Sequence, residues 1–249
     1  MLVCLAAAGL PAWGPVVAGV LPALADAGAW ADAAPSGARW RAIVCTAWVC
    51  LLVSALSTLA AFPMAQVLRV SGVRVAALLV APVWIPSWLI YAGLNLARAP
   101  DTVVGAAFLR WALDPAAAFW GESNRWAIVL LGRGLALAAL VLWSVPLAAL
   151  VMAGVEDPEA DAAAELARTD PMGPFRRAAM ALRLRARAIG CAAGVIALLT
   201  MGSSVPLHLA QVETAAIGLW RDLAERPPSR WAGVWLAAWP QLVAAGLGA

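Results

Sequence analysis

Six stretches of the chain contain no Asp, Glu, Lys or Arg: residues 1–25, 42–68, 75–97, 134–155, 188–212 and 231–249. They run 25, 27, 23, 22, 25 and 19 residues. A helix rises about 1.5 Å per residue, so about 20 residues reach across a hydrocarbon layer of about 30 Å. Each run is long enough to cross once. A membrane strand alternates polar and apolar side chains over about 10 positions; these runs are unbroken, so helices are expected. Charge is scarce elsewhere too. Of 249 residues 12% are charged and 64% hydrophobic, whereas soluble domains carry about 25% charged residues. A disordered chain is excluded, because such chains are polar and highly charged. Four cysteines in this length exclude a secreted disulfide scaffold. The expectation is an all-α membrane protein, a single domain over residues 1–249 with six transmembrane helices in a lipid bilayer. The first run has no positive segment before its apolar core, which reads as a retained helix rather than a signal peptide.

Tryptophan supports this division. Trp30, Trp40, Trp111, Trp120, Trp126, Trp220 and Trp231 fall at or beyond the ends of runs, where amphipathic rings favour the headgroup level. Trp84, Trp88 and Trp143 lie inside runs and are expected to pack in the core. Every basic residue is Arg. Arg183, Arg185 and Arg187 crowd the start of the fifth run, and basic residues near span ends favour the cytoplasm. Both termini are therefore expected on the cytoplasmic side, with 156–187 a cytoplasmic loop. The glycines at 9, 14, 19, 93 and 194 are expected contact points between helices.

The connecting segments differ in kind. Residues 26–41 carry Pro35-Ser36-Gly37 turn chemistry. Residues 98–133 mix single charges with aromatics, which suits one or two interfacial helices. Pro227-Pro228 must stop any helix in 213–230. Pro82 and Pro86 mark a kink in the third span, tolerated where neighbours satisfy the freed carbonyls. In 156–187, Asp157 caps a helix with Pro158 at its first position and acids in its first turn. Asp170-Pro171-Met172-Gly173-Pro174 breaks it, because a residue before proline is pushed out of the helical region. A second helix starts near Phe175 and runs through Arg176, Arg177 and Arg183 into the fifth span. The result is helix, elbow, helix.

Few polar groups are available for chemistry. Ser204 and His208 are four apart and can touch on one helix, whereas Ser203 and His208 are five apart; no third group orients such a pair. Cys45 and Cys50 do not match zinc-ligand spacing. No P-loop occurs, so ATP would be handled by a separate chain. The net charge of +3 is too small to point to nucleic acid. No cofactor, metal site or enzymatic activity is expected.

The segment after the fourth run resembles the coupling loop of binding-protein-dependent ABC importer permeases. In that family an acidic, alanine-rich stretch, a glycine and then a phenylalanine precede the last two spans. Here Asp157-Pro158, the stretch from Glu159 to Leu166, and Phe175-Arg176-Arg177 carry the likeness. Leu59-Ala60-Ala61-Phe62-Pro63-Met64-Ala65 is similar to the family's ending of span two. Pro82-Val83-Trp84-Ile85-Pro86-Ser87-Trp88 resembles span three of the iron- and thiamine-type permeases. The family's glycine falls on Ala167 or Arg168, and the Asp170–Pro174 elbow stands in for its turn. The likeness covers about residues 40–249. It implies a six-transmembrane-helix ABC importer permease-like bundle in the bacterial inner membrane, forming half of a translocation path. It implies as partners an ABC ATPase subunit dimer, a second permease subunit (an identical or a different chain) and a periplasmic substrate-binding protein. It implies an ATPase contact formed by Arg168, Thr169, Asp170, Pro171, Met172, Gly173 and Phe175. A diverged permease that only scaffolds a membrane complex is the alternative, and the substrate is not named by any residue.

Overall fold

The computed structural model describes residues 36–70, 73–117, 124–155, 162, 173–227 and 231–238. Among them all regular structure is helical. The first and last charge-free runs lie wholly or mostly outside the described residues.

Two helices are long and apolar enough to cross a membrane, α1 (Gly37–Val70) and α5 (Arg125–Gly154). Ser36 caps α1: its hydroxyl accepts from the Arg39 N–H at 3.3 Å and its carbonyl from the Trp40 N–H at 3.0 Å. The helix overshoots the charge-free run at both ends and takes in Arg41 and Arg69. Helix α5 begins nine residues before the run at 134 and carries Arg133. An arginine does not interrupt backbone hydrogen bonding, and the exposed Arg133 side chain is free to lead its head towards water. A charge therefore does not mark where the helix ends.

The third run is not one kinked helix. It folds as α2 (Val73–Val80), a 3-10 turn (Ala81–Trp84) and α3 (Ser87–Leu96). The halves Ala77–Trp84 and Ser87–Leu96 are bent by 83°. Pro86 removes an N–H and forces Ile85 into extended backbone (φ −83°, ψ 119°). The break turns the 3-10 segment outward, so Trp84 is 87% exposed and Trp88 is exposed as well. The expectation that these two rings pack in the core is corrected; Trp143 does pack, half-buried against Val83.

Helix α4 (Val103–Leu113) occupies part of 98–133, where an interfacial helix was expected. Thr102 caps it, accepting from the Gly105 N–H at 3.0 Å. Helix α6 (Pro174–Leu184) leads through Arg185 into α7 (Ala186–Gly202). The fifth run then breaks at Ser203 (φ −85°, ψ 65°) before α8 (Ser204–Leu209). The 17 residues of α7 span about 26 Å, short of the hydrocarbon thickness without α8. Gln211 adopts a left-handed backbone (φ 57°) that turns the chain after α8. Helix α9 (Ala215–Glu225) and α10 (Trp231–Leu236) follow. Arg226 is extended before Pro227 (ψ 143°), so the proline stops α9 as the sequence requires.

The chain divides into two compact units, Met1–Ala47 with Glu213–Ala249 and Trp48–Val212; the division falls within α1. In the Trp48–Val212 unit, α1 presents Val53, Ser57, Ala61 and Ala65 as a buried stripe, and α5 presents Ala136, Leu140, Ser144, Ala148 and Met152. Both stripes recur every fourth residue, the spacing of one helix face. Small residues on them allow close backbone approach. Of the expected glycine contact points, Gly93 instead faces open space. The close approach falls to alanine, serine and Gly132.

In the other unit, Thr46 on α1 donates to the Ala42 carbonyl at 2.8 Å and accepts from the Ala215 N–H at 2.9 Å. Its hydroxyl thereby satisfies an orphan donor in the first turn of α9. Thr214 caps the same helix through the Ile217 N–H.

Candidate functional site

The site to be built is the end of the Trp48–Val212 unit from which residues 156–172 depart. The last four carbonyls of a helix have no partner within it. At the end of α5 two of these oxygens, on Met152 and on the capping residue Val155, accept from one nitrogen of Arg69, Nη2, at 2.8 and 2.9 Å. Arg69 sits in the last turn of α1. Its charge also lies at the negative end of the α5 dipole, where a cation is favoured. The arginine fastens the end of one long helix to the end of the other.

Twelve residues earlier on α1, the Ser57 and Ser144 hydroxyls meet at 2.6 Å. Both are fully buried. Ser144 also reaches the Leu140 carbonyl at 2.6 Å, so Ser57 is the donor of the pair when Ser144 spends its proton there. Moving along α1 from Ser57 to Arg69 thus moves along α5 from Ser144 to Met152. The two long helices run parallel.

The stretch from the 3-10 turn through α3 runs the other way. The Trp143 indole N–H donates to the Val83 carbonyl at 3.3 Å, and Arg98 Nη1 donates to the Ile128 carbonyl at 3.2 Å. Fifteen residues forward on one chain match fifteen back on α5, about 22 Å of helix. Gly132 makes room at the second contact: a Cβ there would stand 2.9 Å from Arg98 Nη1. Arg69 and Arg98 therefore reach opposite ends of α5, and both do so onto main-chain oxygens.

Of the residues expected to contact an ATPase, Arg168, Thr169, Asp170, Pro171 and Met172 lie outside the described residues. Gly173 is exposed and extended (φ −65°, ψ 157°), with Pro174 at the first position of α6. Phe175 is the second residue of that helix. The second half of the elbow therefore has the break and restart that its prolines require. Arg176, Arg183 and Arg187 are exposed, while Arg185 is buried at the joint between α6 and α7. His208 is exposed on α8, and Ser203 lies at the joint before that helix, not on it.

The Arg69 clamp and the serine pair were not read from the sequence. A signal for the first existed: Arg69 closes a charge-free run, and a basic residue at a helix end seeks carbonyls. The serine pair had only its spacing from small neighbours. No protein-family model matches the chain, and no curated protein or solved structure matches it.

Proposed function

We propose that the chain is the membrane-spanning subunit of an ATP-driven importer of the binding-protein-dependent class. Residues 156–187 would form its contact with a separate ATPase. The observation that carries the reading is the parallel α1–α5 pair clamped by Arg69 at the point where residue 156 leaves. A coupling loop has to transmit force to spans, and this one departs from two spans fastened together.

The parallel pair also bears on the count of spans. Two parallel spans require the chain between them to recross the membrane once. In this reading α2 and α3 together would supply that crossing as one broken span; the antiparallel course of α3 beside α5 supports it. Helices α7 and α8 together would make the fifth span. Runs 1–25 and 231–249 complete six. A second permease subunit, an ATPase dimer and a substrate-binding protein are the partners this architecture would need, in a bacterial inner membrane. Arg168, Asp170, Met172 and Phe175 would form the ATPase contact, with Met172 and Phe175 at its desolvated centre.

Copurification with the ATPase tests the reading. Met172→Asp with Phe175→Ala is expected to abolish association while leaving membrane insertion at the wild-type level, because neither residue lies in a charge-free run. Retention of the ATPase at wild-type yield by this double variant would move the scaffold alternative ahead.

A further inference from the structure

A second polar region lies in the other unit, where an open cleft of about 180 Å³ forms between the start of α1 and helix α9. Its charged lining is Arg39, Arg221 and Arg226 with Glu213 and Asp222. Among the described residues three arginines and two carboxylates line the cleft, an excess of one positive charge. Arg39 meets Asp222 at 2.5 Å through Nη2 alone, and Arg221 meets Glu213 at 2.9 Å through Nη1 alone. Each pair uses one nitrogen of a planar group that carries five N–H donors. The remaining donors of both forks, and the whole Arg226 guanidinium, are available to a further acceptor. Two-pronged donation to an oxyanion is what arginine does best.

We propose that this cleft binds a phosphate group, presented by the headgroup of an anionic phospholipid. The phosphate supplies the missing negative charge and accepts from Arg221 and Arg226 while the two carboxylates keep their present partners. The surroundings favour a lipid as the source. Trp220 is 69% exposed, and Trp40 and Trp231 are exposed on the same unit. Indole rings collect at the headgroup level. Val44, one turn into α1 from Trp40, is exposed as well. A phosphate held there would have acyl chains running along α1. This site is independent of the importer reading, since it needs only that α1 enters a bilayer.

The test uses the full chain in nanodiscs of phosphatidylcholine with a minor fraction of phosphatidylglycerol, followed by native mass spectrometry of the bound lipid. Phosphatidylglycerol is expected to be enriched on the protein and to resist displacement by millimolar inorganic phosphate. Arg221→Gln with Arg226→Gln is expected to reduce that enrichment about tenfold. Arg110→Gln with Arg133→Gln removes the same charge elsewhere and is expected to leave it unchanged. Gly218→Met gives a second line: Gly218 lines the cleft and a Cβ there meets open space, so a longer side chain fills the cleft without touching a charge. It should lower enrichment with the helix intact. Equal loss in the Arg110/Arg133 control would overturn the site. Full displacement by inorganic phosphate would uphold phosphate recognition and overturn the headgroup as its source.

Discussion

The two units hold themselves together with different polar chemistry. Among the described residues of the Trp48–Val212 unit, the polar contacts between helices include hydroxyl to hydroxyl and arginine to main-chain carbonyl. In the other unit they are arginine to carboxylate, with threonines tying one helix start to the next. The difference follows exposure: Ser57 and Ser144 are buried, whereas the ion-paired side chains are 19–64% exposed. In hydrocarbon a charge is costly and a neutral hydroxyl can be satisfied by its own helix. At the C-terminal end of α5, Arg69 meets the Met152 and Val155 carbonyls, which the helix leaves without a partner. The partly exposed ion pairs of the other unit stay wet and are easy to form but weak.

This contrast is open to direct attack. The largest effect should come from Arg69. Replacing it with Met leaves the Met152 and Val155 carbonyls without their charged donor and removes a favourable charge from the helix end. A loss of about 2 kcal/mol is expected, read as a lowered unfolding temperature in detergent. Arg69→Lys should recover about half of that loss, because it keeps the charge but reaches both oxygens less well. A Met variant as stable as the wild type would mean that α1 and α5 are not fastened at this end.

A smaller and asymmetric effect is expected at the serine pair. Ser144→Ala strands the buried Ser57 hydroxyl and should cost about 1 kcal/mol, in line with polar contacts between membrane helices. Ser57→Ala leaves Ser144 bonded to Leu140 and should cost roughly half as much by the same reasoning. Steric trapping or reversible unfolding in mixed micelles would resolve the two. Equal costs would show that the donor direction is reversed or shared.

The smallest effects belong to the ion pairs. The Arg39 and Asp222 side chains are 19% and 26% exposed, and those of Arg221 and Glu213 are 51% and 64% exposed. Asp222→Asn should cost about 0.5 kcal/mol and less as salt rises, whereas Glu213→Gln should fall within measurement error. A Glu213 effect equal to that of Asp222 would mean that burial does not separate the two pairs.

Much of the architecture was legible before any coordinates. Charge-free runs marked α1 and α5, because a hydrocarbon layer accepts little else. Pro227 stopped α9 and Pro174 started α6, because proline constrains its own backbone and the residue before it. Other readings failed for reasons local to each residue. Charge placed the start of α5 at 134, yet Arg133 lies inside the helix. Pro82 and Pro86 announced an irregularity, but the size of the bend came from Ile85 and Pro86 both being extended. That bend put Trp84 outside. The expected glycine contacts gave way at Gly93 because a glycine matters only where another helix approaches it. Of residues 170–175, only Gly173, Pro174 and Phe175 are described, and the extended Gly173 agrees with what Pro174 imposes on the residue before it.

By itself the sequence determined that the chain would be helical and apolar enough to cross a membrane, since hydropathy and proline act over a few residues. It could not determine which helices run parallel. That depends on Ser57 meeting Ser144 and on Arg69 finding the end of α5, contacts made across more than eighty residues of chain. A fourfold spacing of small residues fits many partners equally well. Only the packed arrangement decides which stripe faces which, and so which carbonyls and hydroxyls each side chain has to satisfy.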